Sequence, residues 1–284
     1  MATFSFDRFL LALKCHFLVE RNSWMRLFGI YTLVMFMANL FFTRVQGMNY
    51  RFMVENWDME RVIRQYNNIV GDTVGFGIVF FCFAMLFCAS FMFSQMKDTR
   101  KRSAYLLWPV SNVEKYVVSF LYSVVFMTVL TVAAYVLADG LRVLTDWLTG
   151  RIVIWGFPKL AEFFSSNAIC ENWQSVWLFF AWVFYFHSLY IVGGTLFRRQ
   201  QFLMTSAVIV VVGILLIMTL NQVHPDVDIV TGTWDEKTRT YTQVFHPAFY
   251  ILTSVLTLLI FFHYWVSYKL FTRIQVINNK WLNV

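Results

Sequence analysis

Six stretches of this chain carry no Asp, Glu, Lys or Arg: 27–43, 73–96, 116–138, 172–197, 200–225 and 240–268. Apolar residues crowd them, as in Val79-Phe80-Phe81-Cys82-Phe83-Ala84-Met85-Leu86-Phe87. A helix needs about 20 mostly apolar residues to cross the hydrocarbon layer. Five runs exceed that length, and Trp24 and Met25 extend the first, with Arg26 free to snorkel to the interface. Lipid offers peptide groups no hydrogen-bond partner, so such runs must be helical. The chain therefore reads as an all-α polytopic membrane protein. Six transmembrane helices are expected near 24–43, 73–95, 116–138, 173–196, 202–221 and 247–268, in one transmembrane domain covering 1–284. Composition excludes the alternatives. Only 14% of residues are charged against roughly 25% in soluble domains, and 32 are Phe. With 12 Gly, 4 Pro and 4 Cys, neither collagen nor a disulfide scaffold fits.

Basic residues set the orientation. With the N-terminus inside, segments 1–26, 97–115, 198–199 and 269–284 hold 14 Lys and Arg against 4 Asp and Glu; the opposite side holds 9 against 12. Positive charge favours the cytoplasm. Both termini are expected to be cytoplasmic, in a multi-pass protein of the cell (inner, cytoplasmic) membrane. The net charge of +7 is then mostly topology, and no nucleic-acid partner is implied. Ahead of the first span there is no secretory signal pattern. Instead Phe6, Phe9, Leu10, Leu13 and Phe17 recur at helical spacing, with Arg8, Lys14 and Arg21 off the stripe. This predicts an interfacial helix over 3–21 lying at the cytoplasmic surface; a plain extension of the first span is the alternative.

The external loops are 44–72, 139–171 and 222–246. Met53, Trp57, Val62, Ile63, Tyr66 and Ile69 predict an amphipathic helix in the first. The second mixes apolar and polar residues around Gly150, Gly156 and Pro158 and reads as dipping into the interface. In the third, alternation through 228–234 and 238–242 predicts a β-hairpin turning at Asp235-Glu236-Lys237. The loop 197–201 is so short that spans four and five form a tight antiparallel hairpin.

Several chemistries lack their motifs. There is no phosphate loop, no His-Glu-x-x-His and no Gly-x-Ser-x-Gly. No carboxylate or fixed cation falls within the six predicted spans, which argues against an ion-coupled carrier. His187 and His263 lie in spans; they read either as haem or metal ligands or as hydrogen-bonded packing residues. His224, Asp226, Asp228 and His246 are close in sequence, but their spacing matches no standard metal site. Cys82 and Cys88 sit about 240° apart on one helix and cannot pair, while Cys15 and Cys170 fall on opposite sides. No catalytic residue, cofactor or metal is assigned.

The loop 97–115 carries more information. A basic run, Arg100-Lys101-Arg102, leads into Tyr105-Leu106-Leu107 and stops at Pro109; Ser111 and Glu114 then form a capping box for the third span, ahead of Lys115. By physics alone this is a positive-inside anchor and a capped helix start.

The loop also resembles the membrane subunits of ABC-2-type ABC transporters. In that family the segment after the second span carries basic residues, a Leu pair, a Pro, a small polar residue and a Lys, matched here by Arg102, Leu106, Leu107, Pro109, Ser111 and Lys115. The stretch Gly193-Gly194-Thr195-Leu196-Phe197-Arg198-Arg199-Gln200-Gln201-Phe202 is similar to one common in uncharacterised permeases of this kind from Bacteroides-like bacteria. The outline agrees as well: an interfacial helix, six spans, inside termini and external structure between spans five and six. Two features depart from it: Trp108 stands where a Leu is expected, and the external loop after span three is long. The resemblance implies a permease subunit, an exporter without catalysis of its own. ATP would bind a separate ABC ATPase subunit, and a second membrane subunit, identical or not, would pair with this one. Arg100, Lys101, Arg102, Tyr105, Leu106, Leu107, Pro109, Ser111, Glu114 and Lys115 would form the coupling loop, with Tyr105, Leu106 and Leu107 filling a groove on the ATPase and Arg100–Arg102 touching its surface or lipid headgroups. The alternatives are an intramembrane lipid-modifying enzyme, or a haem-binding or structural membrane subunit.

Overall fold

A computed structural model describes residues 4–47, 50–93, 95, 99–160, 172–223, 230–235 and 240–273. Lys97, Cys170, His224, Asp226, Asp228, Glu236 and Lys237 lie outside them. The described chain is overwhelmingly helical. Six helices are long and apolar enough to cross a membrane. The all-α polytopic fold is therefore what the charge-free runs lead to, and the protein is a multi-pass membrane protein. Contacts sort the chain into two compact units: Met1–Cys88 with Val113–Glu171, and Ala89–Asn112 with Asn172–Val284.

In the first unit, α1 (Phe6–Val19) precedes α2 (Arg21–Val45), the first span. The inward side of α1 is Phe9, Ala12 and His16, while Phe6 and Leu10 face outward. The buried stripe is thus rotated from the expected one: α1 covers its small and polarisable residues against the protein and leaves Phe6, Leu10, Leu11 and Leu18 for the interface. Two contacts fix it. Glu114 Oε1 accepts a hydrogen bond from the Ser5 amide at 2.7 Å and pairs with Arg8 Nη2 at 3.4 Å. At the other end, the His16 and Phe17 rings stand edge-on to Tyr122 and Phe126, with centroids 4.6 Å apart in each pair.

The first external segment is two helices, α3 (Tyr50–Asn56) and the beginning of α4 (Met59–Ser90). The second span thus starts well before its charge-free run and ends at Ser90 rather than near 95. Val62, Tyr66 and Ile69 are buried as predicted, but Ile63 is exposed.

The third span runs as α6 (Asn112–Phe120), a π-helical turn (Leu121–Phe126) and α7 (Met127–Leu148). It continues well past residue 138. Asp139, Arg142 and Asp146 lie in this continuation, beyond the expected span, and are wholly buried. Charge ends a lipid-exposed helix only if it meets lipid; here the charges meet each other. The unit's core packs α2, α4 and α7 around Tyr31, Ala84, Leu130 and Ala134.

In the second unit, α5 (Thr99–Leu106) is followed by α8 (Trp173–Leu196), α9 (Gln201–Val223) and α10 (Pro247–Thr272), the last three being spans four to six. The hairpin of α8 and α9 is as tight as the short loop predicts: Gln201 Nε2 donates to Gly194 O at 2.7 Å, and Gln200 turns with φ 49°. Between α9 and α10, β1 (Val230–Asp235) pairs antiparallel with β2 (Thr240–Phe245), Val230 opposite Phe245 and Asp235 opposite Thr240. That is the predicted hairpin.

Candidate functional site

The segment from 99 to 115 is built by a local conflict. Arg100, Lys101 and Arg102 favour water, yet Tyr105 and Trp108 favour burial, and an eight-residue helix cannot satisfy both on one face. α5 resolves this by dividing its residues. Arg100 and Lys101 are exposed, whereas Arg102 is wholly buried and Tyr105 is 3% exposed. The Tyr105 ring lies 5.3 Å from that of Trp108 and 6.5 Å from Phe271 of α10. Burial pulls the Arg102 guanidinium below its ordinary pKa, and the positive charge of Arg198 acts in the same direction.

Beyond α5 the chain turns sharply. The Leu107 amide donates to Ser103 O at 3.0 Å and that of Val110 to Trp108 O at 2.8 Å. Leu106 is half-buried, while Leu107 stands 80% exposed at the turn, with Pro109 also exposed. An apolar side chain held this far out by a fixed turn is a peg. The set expected to face a partner is thus split: Leu107, Arg100 and Lys101 point away from the protein, and Tyr105 and Arg102 fasten the helix from within.

The end of the segment has a different role. α6 begins at Asn112, directly after Ser111, and Glu114 is its third residue. Glu114 and Lys115 are both buried. The carboxylate of Glu114 reaches the start of α1, so the end of this loop is physically tied to the N-terminal helix. A carboxylate beside the free amides of a helix start is favourable electrostatically. Sequence reading expected Glu114 in a capping box with Ser111 and missed this contact, because nothing at a separation of 109 residues marks it.

The span histidines face hydroxyls. His187 Nδ1 lies 3.0 Å from Tyr264 Oη, and His263 Nδ1 lies 3.0 Å from Ser188 Oγ, both pairs joining α8 to α10. His246 Nε2 lies 3.0 Å from Thr231 Oγ1. Among the described residues no group of three His, Cys, Asp or Glu side chains is arranged to hold a metal ion.

A second cluster escaped the sequence reading altogether. Arg142 donates from Nε and Nη2 to Asp139 Oδ1 at 3.0 and 2.7 Å, and from Nη1 to Asp146 Oδ2 at 2.9 Å. Tyr66 donates to Asp146 Oδ2 at 2.7 Å, and Arg44 Nη2 lies 3.2 Å from Asp146 Oδ1. Two carboxylates and two guanidiniums balance. The i, i+3 and i, i+4 spacing on α7 was the available signal. Compared with protein-family models, curated proteins and solved structures, the chain matches none of them.

Proposed function

We propose that this chain is the membrane-spanning subunit of an ABC-2-type transporter, working as an exporter, with ATP hydrolysed by a separate ATPase subunit and a second membrane subunit alongside. Its part is mechanical. ATP-driven closure of the ATPase would push the 99–115 segment, and the push would pass into the second and third spans that flank it in the chain. The observation that carries this reading is Leu107, an 80% exposed leucine on a fixed turn beside Arg100 and Lys101. An apolar centre with a polar rim is the ordinary anatomy of a protein interface. The buried Arg102 and Tyr105 make α5 a lever rather than a loose tether. Glu114, where the third span begins, holds the start of α1. The order of elements supports the reading too: an amphipathic helix, six spans, a short basic helix after the second and a hairpin between the fifth and sixth.

The test is affinity purification from the native membrane, with the wild-type chain and with Leu107→Asp. An ATPase is expected to co-purify with the first and to be lost from the second, while the thermal unfolding midpoint stays unchanged because Leu107 packs against little in its own chain. Absence of an ATPase from the wild-type preparation, or its retention by Leu107→Asp, would overturn the proposal.

A further inference from the structure

After Gly150, at φ +66°, the chain leaves α7 and runs back beside it. The Arg151 amide donates to Asp146 O, Arg142 Nη2 donates to Ile154 O at 2.6 Å, and the amides of Gly156 and Phe157 donate to Asp139 Oδ2 at 2.8 and 3.0 Å. These partners step from 146 to 139 along α7, about 10 Å back towards the membrane at 1.5 Å per residue. Glycine at 156 suits this approach: a Cβ there would lie 3.0 Å from Asp139 Oδ1, so the carboxylate would have to give by a few tenths of an ångström. Leu160 then packs on the cluster of Met35, Tyr135 and Ala138.

The side chains of this returning segment alternate. Ile152 and Ile154 point inward against Tyr66, Ile69 and Val70. Val153, Trp155 and Phe157 point outward, each more than 40% exposed. An extended segment in water would present polar residues on that side. The Trp155 ring also lies over Gly140, the middle of the exposed side of α7, where Leu137, Leu141, Leu144 and Leu148 form one apolar stripe. The outward face of 151–157 is therefore continuous with the lipid-facing surface of the third span.

Height agrees with this. α1 is too short to span, and it rests on Tyr122 and Phe126, which puts the inner edge of the hydrocarbon near Tyr122. About 20 helical residues, or about 30 Å, carry the span to the outer edge near Arg142. Trp147 and Trp155 then fall in the interfacial layer that tryptophan prefers. The wall across from them differs. Tyr66 shares the height of Asp146 through its hydrogen bond, yet α4 there exposes Glu60, Arg61, Arg64, Gln65 and Asn68.

We propose that residues 151–157 form a lipid-embedded flank of the third span, at the membrane face opposite α1, with Asp139 and Arg142 holding their backbone there, so that this end of the unit has one wall in lipid and one in water. Non-helical backbone survives at that depth only if its polar groups are satisfied by protein; the buried ions do this for Ile154, Gly156 and Phe157. The proposal stands whether or not the chain couples to an ATPase.

Nitroxide labels test it, placed singly at Val153→Cys, Trp155→Cys and Gln65→Cys in the full chain with its native cysteines replaced by Ala, in phosphatidylcholine–phosphatidylglycerol vesicles. Collisions with oxygen, which partitions into lipid, are compared with collisions with a water-soluble nickel chelate. Oxygen is expected to dominate at 153 and 155 and nickel at 65. Nickel dominating at 153 and 155 would put the segment in water, and neither reagent reaching them would mean a protein partner such as a second copy; either result overturns the proposal. Adding Asp139→Ala to the Val153→Cys chain is expected to raise nickel collisions severalfold, and no change would overturn the holding role of the ions.

Discussion

Buried charge is the decisive matter at the scale of single residues. Arg142 answers two wholly buried carboxylates, so its loss leaves Asp139 to its backbone donors and Asp146 to Arg44 and Tyr66. Arg142→Met is expected to cost about 3–5 kcal/mol, the range for breaking a buried pair, read as a lower unfolding temperature in detergent. His16 is the contrasting case. Packed against Tyr122, it is held neutral by burial, which lowers its pKa to about 4 from 6.5, with Glu20 opposing weakly. The unfolded chain takes up the proton near pH 6.5 and the folded one only near 4. Stability from this residue is therefore complete above about pH 6.5 and is lost as pH falls from there to about 4. The loss approaches about 3 kcal/mol at 1.36 kcal/mol per unit. Unfolding measured at pH 7.5 and 4.5 should show a drop that His16→Phe reduces.

Elements were legible where the physics is local. Charge-free runs, the short 197–201 loop and the alternation in 228–234 and 238–242 marked spans four to six and the hairpin within a few residues of where they lie. Ends set by distant partners were not legible. α4 begins at Met59 with Glu60, Arg61 and Arg64 exposed, and α7 runs on to Leu148 because Arg142 and Arg44 neutralise Asp139 and Asp146. The α8–α9 hairpin yields a sharper test. A Cβ at Gly193 would lie 1.9 Å from Thr205 Oγ1 and 2.8 Å from Thr205 Cβ, whereas one at Gly194 would lie 2.5 Å from the Ser90 carbonyl oxygen. Each Gly→Ala change is expected to destabilise by about 1–3 kcal/mol, as overpacking does. Thr205→Gly should recover much of the loss for Gly193→Ala and none for Gly194→Ala, because only the first obstacle is a side chain. Thermal unfolding of the four variants decides it.

For the molecule as a whole, orientation is the property to test. Lys and Arg bias predicts α5 inside and α3 outside. An impermeant maleimide added to intact cells should label Asn56→Cys at once and Lys101→Cys only after permeabilisation; the reverse pattern would invert the topology and remove the proposed ATPase contact. Hydropathy along the chain determined that this protein has six membrane helices, where its β-hairpin falls and which linking segments are basic. These follow from what each stretch can do in lipid by itself. Only the tertiary structure decided that Arg102 and Tyr105 turn inward while Leu107 turns out, that Glu114 holds α1, and that Asp139, Arg142 and Asp146 are buried and paired within one helix. The reason is the same in each case: whether a charge or a ring is buried depends on partners brought from elsewhere in the fold, and no local window of sequence contains them.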